Sequence, residues 1–275
     1  MNKPDVLALA GAYLKDVAGL KFEWYLKITP AGVTPRPAAL FWVVNYHGGD
    51  ISKEYARLHA LLLELNCPAA IVAKASTLAT VSNAQGVLVP LEEGARKHTL
   101  YLHYNDARTN GEERIALSWQ GNARLEPHAY AFHLFPNGNL PNDVLRQTHA
   151  HHRELLRELL SEAPLRKMGY YYQHKGGNID EVYVAYPWQP AFRTIATQLM
   201  RHFPAVGPAD FHAYGDHYFR HVGFSSPAAP VPAVTLYFSA GFRGDWPLDL
   251  EALQHRVKVE GEILNRKLSH ALGTT

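Results

Sequence analysis

Hydrophobic and polar positions along this chain follow two alternating periods. Over residues 5–18 (DVLALAGAYLKDVA) apolar side chains fall at helical spacing. Residues 21–29 and 38–46 switch to a period of two, and residues 51–65 return to helical spacing. Pro35 and Pro37 mark the loop between the two strands, because proline cannot sit in a central ladder. This cadence of helix, strand, strand and helix recurs about four times along the chain.

Residues 68–96 are apolar without clean periodicity and are read as mixed. Residues 98–105, 114–120 and 128–135 read as strands, with Asn110-Gly111 and Gly121-Asn122 in the turns. Asn142 or Asp143 is placed to cap a helix reaching about residue 161. Its apolar side carries Val144, Leu145, His149, His152, Leu155, Leu156, Leu159 and Leu160. A hairpin follows over 167–174 and 179–186, turning at Gly176-Gly177-Asn178. A helix over 190–203, a short helix or loop over 208–216, strands over 217–224 and 234–239, and a long helix over 248–272 complete the reading. Hairpins separated by helices can close a sheet whose helices all lie outside. The fold expected is therefore α+β: an antiparallel β-barrel of repeated αββα units. No linker rich in Gly, Ser or charge divides residues 1–275, so one domain is expected.

The strands have two unlike faces. Phe22, Trp24, Leu26 and Ile28 oppose Lys21, Glu23, Tyr25, Lys27 and Thr29. Ile115, Leu117 and Trp119 oppose Arg114, Ser118 and Gln120; Val182 and Val184 oppose Glu181 and Tyr183; Val234, Leu236 and Phe238 oppose Thr235, Tyr237 and Ser239. If helices cover the apolar faces, the polar ones look into a chamber, and their tyrosines, with His103, His133, His174 and His221 on strands, suit an apolar or aromatic ligand. An open sheet with one face in water is the alternative.

Composition narrows the classes. A hydrophobic content of 47% is ample for a core. A net charge of +2 gives no basic footprint for nucleic acid or membrane lipid. The single cysteine, Cys67, excludes an internal disulfide framework and suits a reducing cytosol; burial at a helix end is its expected state. Asp5, Lys15 and Asp16 interrupt the apolar N-terminal residues, no signal-peptide cleavage pattern follows, and the apolar runs are short of a membrane span. A cytoplasmic protein is expected.

Three short segments carry a family resemblance. Lys21-Phe22-Glu23-Trp24-Tyr25, followed by a Pro-rich loop and a second strand, resembles the opening strand of the aromatic prenyltransferases with the αββα barrel, notably the dimethylallyltryptophan synthase type. Ala131-Phe132-His133-Leu134-Phe135-Pro136 resembles that family's strand ending in an aromatic–Pro pair. Val234-Thr235-Leu236-Tyr237-Phe238, followed by Gly241 and Arg243-Gly244-Asp245, is similar to its late strand and turn. The resemblance implies a transferase of secondary metabolism that moves an allylic prenyl group from its diphosphate to an indole or phenol. It implies that Glu23 acts as orienter or base, that Tyr25, Tyr101, Tyr183 and Tyr237 shield the allylic cation, and that Lys27, Tyr101, His103, Arg114, His133, Glu181, His221, Thr235 and Arg243 complete the substrate site. The chain departs from the family where Lys or Arg should precede Tyr by two residues: Thr235 precedes Tyr237, Glu181 precedes Tyr183, and Ala131 precedes His133. A prenyl diphosphate carries about three negative charges, which need charge-assisted donors or a metal, magnesium being the candidate; no other cofactor is expected. A second reading keeps the barrel as a binding protein or acid–base catalyst for an aromatic or apolar molecule without diphosphate. A third is an interaction protein built on an open sheet.

Other constellations are weaker. His149 and His152 share a helical face and offer a metal pair, but no second motif completes a ligand set. His212, His217 and His221 with Asp210 and Asp216 lie in a segment too irregular to place on one face. Gly48-Gly49-Asp50 lacks the residues of a phosphate loop; Asp50 or Ser52 is expected to cap the next helix.

Overall fold

The first hairpin is present with longer strands: Pro35 and Pro37, expected in its loop, lie within the second strand, and Ala38, Ala39, Leu40 and Phe41 are all buried, without alternation. In a computed structural model, helix α1 (Lys3–Leu14) leads into β1 (Gly19–Thr29) and β2 (Gly32–Val44). The structure describes residues 3–16, 18–44, 50–79, 81–91, 97–104, 112–135, 139, 141–161, 169–185, 190–212, 219–242, and then 251, 252, 255, 258, 259 and 263. Helices α2 (Ser52–Glu64) and α3 (Ala69–Thr77) follow. Next come β3 (Ala84–Pro90), β4 (Lys97–His103), β5 (Glu112–Gln120), the short β6 (Ala123–Arg124) and β7 (His128–Leu134). Helix α4 (Asn142–Gln147), a 3-10 turn (Ala150–His152) and α5 (Arg153–Ser161) precede the hairpin β8 (Gly169–Lys175) and β9 (Asn178–Ala185). Helices α6 (Pro190–His202) and α7 (Pro208–His212) and strands β10 (Phe219–Ser225) and β11 (Val234–Phe242) end the series. The described positions of the expected 248–272 helix are helical; the rest of it, Asn110-Gly111, Gly48-Gly49, Asp216 and His217 lie outside the described residues.

Strands hydrogen-bond in the order β4-β3-β2-β1-β11-β10-β9-β8-β7-β5-β6, and β4 also pairs with β5. That extra ladder joins ten strands into a closed antiparallel barrel accompanied by helices, with β6 attached at β5. Contacts divide the chain into two compact units. The first comprises 1–23, 37–131 and 241–257, and the second comprises 24–36, 132–240 and 258–275.

In the second unit the apolar strand faces pack under helices as the alternation requires. Leu26, Ile28, Val182, Val184, Val222, Phe224, Leu236 and Phe238 join Leu155, Leu156, Leu159 and Leu160 of α5 and Ile195, Leu199 and Phe203 of α6 in one buried cluster. The β8–β9 hairpin turns through Gly176 and Gly177, at φ 54° and 80°, the left-handed values that a two-residue turn demands. The helix expected over 142–161 is broken. Thr148 leaves α4 in extended conformation, and the chain re-enters a helix only after the 3-10 turn. The expected N-cap is also displaced: Pro141 occupies that position, and Asp143 instead accepts the Tyr172 hydroxyl at 2.9 Å.

In the first unit α2 and α3 pack on β3 through a buried polar group. Gln85, fully buried, donates to Ala75 O at 3.0 Å and contacts His59 Nε2 at 2.9 Å. Ile51, and neither Asp50 nor Ser52, occupies the N-cap of α2; Asp50, one residue earlier, accepts the Ser52 N–H at 2.9 Å. Trp119 is fully buried and donates its Nε1–H to Leu65 O at 3.1 Å. Cys67 is buried just beyond α2, and burial pushes its thiol up to about 12, as expected of a structural thiol. No helix among the described residues is long and apolar enough to cross a membrane.

The strand missing from the sequence reading, β3, is explained by Gly86. A Cβ there would sit 2.6 Å from the Trp42 ring, so the glycine lets that indole lie across the strand and stack on Tyr101 at 6.1 Å. Gly86→Ala is expected to cost about 1–3 kcal/mol, because Trp42 must leave its seat. Urea denaturation with tryptophan fluorescence checks this; unchanged stability would mean that the indole does not depend on the bare backbone.

Candidate functional site

On the second unit, strands turn their polar faces away from the α5 and α6 cluster, and five of them contribute chemistry. Tyr25 and Lys27 come from β1, Gln173 from β8, Glu181 and Tyr183 from β9, His221 from β10, and Thr235 and Tyr237 from β11. Register sets the neighbours: Tyr183 lies opposite Gly223, and Gly223 lies opposite Thr235. A Cβ on Gly223 would collide with Glu181 Oε1 and come within 3.1 Å of the Tyr183 ring. The absent side chain lets the Glu181 carboxyl fold across β10 and reach the Thr235 hydroxyl.

The hydrogen bonds around Glu181 form a chain. The Tyr183 hydroxyl lies 2.7 Å from Glu181 Oε2 and 2.8 Å from Gln173 Oε1. Gln173 Nε2 donates to Asp180 Oδ2 at 2.8 Å. Burial pushes Glu181 up to about 7, helped by the Asp180 charge and opposed by the Tyr183 hydrogen bond, Lys27 and Thr235. Protein surrounds Glu181 densely, yet part of its surface remains accessible, as for a group on a concave wall. A carboxyl poised near neutrality can hold or take a proton at working pH.

Aromatic rings stand beside it. The Tyr237 ring is 4.3 Å from His221 and nearly parallel to it, 5.1 Å from Tyr25 and 5.5 Å from Tyr183. His221 meets Tyr183 edge-on at 5.7 Å. The Tyr and His faces present negative quadrupoles suited to an apolar, cationic or aromatic group.

The first unit holds a second group. Arg114 lies over the rings of Tyr101 at 4.9 Å and Tyr130 at 4.3 Å. Burial pushes the Tyr101 hydroxyl up to about 12; the Arg114 charge and a Tyr130 hydrogen bond oppose this, and the Glu23 carboxylate adds to it. His103 packs edge-on against Trp42 at 5.2 Å.

Of the residues picked from sequence, the structure gathers Tyr25, Lys27, Glu181, Tyr183, His221, Thr235 and Tyr237 in the second unit. Glu23, Tyr101, His103 and Arg114 belong to the first. His133 is exposed and stacks on Tyr170 at 5.1 Å, among residues of the helix-side cluster, while neighbouring Phe132 contacts Tyr171 at 4.7 Å on the opposite face. Arg243 lies outside the described residues. Asp210 accepts the Gly207 N–H at 2.8 Å and so serves a turn. Sequence reasoning passed over Gln173, Gly223, Trp42 and Tyr130. Alternation alone places Gln173 beside Tyr171, but its link to Glu181 depends on β8–β9 register, which sequence does not print.

Glu181 makes stability depend on pH. With its pKa raised from 4.5 to about 7, its favourable share is complete below pH 4.5 and is lost as pH rises through 7. Glu181→Gln, which cannot ionise, is expected to gain on the parent between pH 5 and 8 by on the order of 1–2 kcal/mol, allowing for solvent at a half-buried group. Gly223→Ala displaces the carboxyl and should flatten the parent's dependence. Urea denaturation at both pH values measures these effects; a gap that stays constant with pH would remove the ionisation argument.

No family model matches the chain, and no curated protein matches it by sequence. Solved structures do match. The prenyltransferase PriB in its apo form superposes with a TM-score of 0.54 and 14% identity, over 79% of each chain. The 6-dimethylallyltryptophan synthase from Micromonospora olivasterospora, solved in complex with DMASPP and Trp, superposes with a TM-score of 0.56 and 12% identity, over 82% of this chain and 84% of its own. The chain shares the fold of these two structures, the antiparallel barrel with helices expected from the αββα cadence.

Proposed function

We propose that this protein is an aromatic prenyltransferase of secondary metabolism that moves an allylic group from its diphosphate to an indole or phenol. The observation that carries the reading is Glu181, raised to about 7, beside the rings of Tyr25, Tyr183, His221 and Tyr237. The carbon–oxygen bond of the allylic diphosphate breaks, and diphosphate leaves with the electron pair. Tyrosine faces stabilise the allylic cation, and the electron-rich ring attacks it to form a carbon–carbon bond. The ring then loses a proton to ionised Glu181, whose negative charge Tyr183 and Thr235 have held by hydrogen bonds. Lys27, whose charge acts on Glu181, is the cation proposed for the leaving group. The resemblance assigned the base to Glu23; the Glu181 environment is better matched to proton transfer near neutrality.

A second reading drops the diphosphate and keeps an aromatic or apolar ligand. It is favoured by what the cations already face: Arg114 lies over two tyrosine rings, and Lys27 lies near Glu181.

Incubation with dimethylallyl or geranyl diphosphate and a panel of indoles and phenols, read by mass spectrometry, is expected to give prenylated product. Turnover should rise with pH through about 7, and Glu181→Gln should lower it by about a hundredfold or more. If Glu23→Gln abolishes turnover while Glu181→Gln does not, the base is Glu23. If no diphosphate is consumed or raises the melting temperature while an aromatic ligand alone does, the second reading replaces the first.

A further inference from the structure

The break between α4 and α5 builds a cluster of histidines on the helix side of the second unit, apart from the Glu181 face. Thr148 leaves the helix at ψ 141°, its hydroxyl donating to Val144 O at 2.8 Å. The His149 N–H donates to Ser225 O at 2.9 Å, pinning the break to the end of β10. The 3-10 turn then sets His151 and His152 against His202, the last residue of α6. His152 Nδ1 lies 3.2 Å from His202 Nε2, and the His151 and His202 rings stand 4.6 Å apart. One ligating nitrogen from each of the three lies within 4.8 Å of the others. His152 is fully buried, and its Nε2 has no hydrogen-bond partner.

We propose that His151, His152 and His202 form a binding site for a divalent transition-metal ion of the zinc class. Two imidazole nitrogens bound about 2.0–2.1 Å from a tetrahedral ion stand about 3.3 Å apart, close to the His152–His202 separation. His151 is exposed and needs only a side-chain rotation to close the set. Neutral imidazoles select borderline ions over magnesium or calcium. A cation is further favoured by the C-terminal end of α6 and by Glu154 and Glu158, exposed carboxylates whose charges act on His202. The His149–His152 pair that helical spacing offered, without a completing motif, gives way to a set that includes a residue 50 positions beyond His152. The bound ion would clamp the start of α5 to the end of α6, a role separate from the proposed transfer reaction.

Protein carrying no polyhistidine tag, stripped with EDTA, is titrated with cobalt(II) and then zinc. One cobalt per chain with visible ligand-field absorption, displaced by zinc, and a melting temperature raised by zinc are the expected results. His151→Gln and His202→Gln, at accessible positions where folding should survive, are each expected to weaken binding by about tenfold or more with an unchanged circular dichroism spectrum. Absence of cobalt absorption together with no thermal response at about 100 µM zinc overturns the proposal, as does parental affinity in either variant.

Discussion

Much of the chemistry on the second unit depends on one hydrogen atom. The Tyr183 hydroxyl stands between Glu181 and Gln173 and can donate to only one of them. When Glu181 is ionised, the hydroxyl serves the carboxylate, a hydrogen bond that favours the charged form. When Glu181 is protonated, the carboxyl donates to Tyr183, Tyr183 donates to Gln173, and Gln173 donates to Asp180. The Tyr183 proton thus turns toward Glu181 when the carboxyl ionises and can turn toward Gln173 when it is protonated; burial raises the carboxyl against the pull of that hydroxyl.

That arrangement rests on the separation of strand faces. Leu26 and Ile28 join the cluster under α5 and α6, so Tyr25 and Lys27, one residue out of step, must point the other way. The same alternation turns Tyr183 away from Val182 and Val184, and Tyr237 away from Leu236 and Phe238. Burial of the apolar set fixes register, and register decides which polar side chains meet.

The sequence made the periodic parts legible. The hairpins at β1–β2, β8–β9 and β10–β11, the helices α2 and α6, and the polar parity of Glu181 and Tyr183 follow from apolar spacing and turn residues. β3 was hidden because its residues are buried on both faces and therefore do not alternate, and because Gly86 and Pro90 look like breakers. The interruption at Thr148 was hidden because its cause is distant: the His149 N–H is claimed by Ser225 on another strand. His133 followed the parity of the resemblance, but Phe132 takes the face toward Tyr171. The meeting of Glu181 with Gly223 and Gln173 belongs to cross-strand register, which local spacing does not encode.

The sealed Cys67 thiol has a practical side. It is the chain's one sulfhydryl, and its high proton affinity leaves almost no thiolate at neutral pH. A cysteine engineered at an exposed position would therefore be the sole reactive handle in the molecule, so a spin label or fluorophore could be attached at a single chosen point without first removing a native competitor.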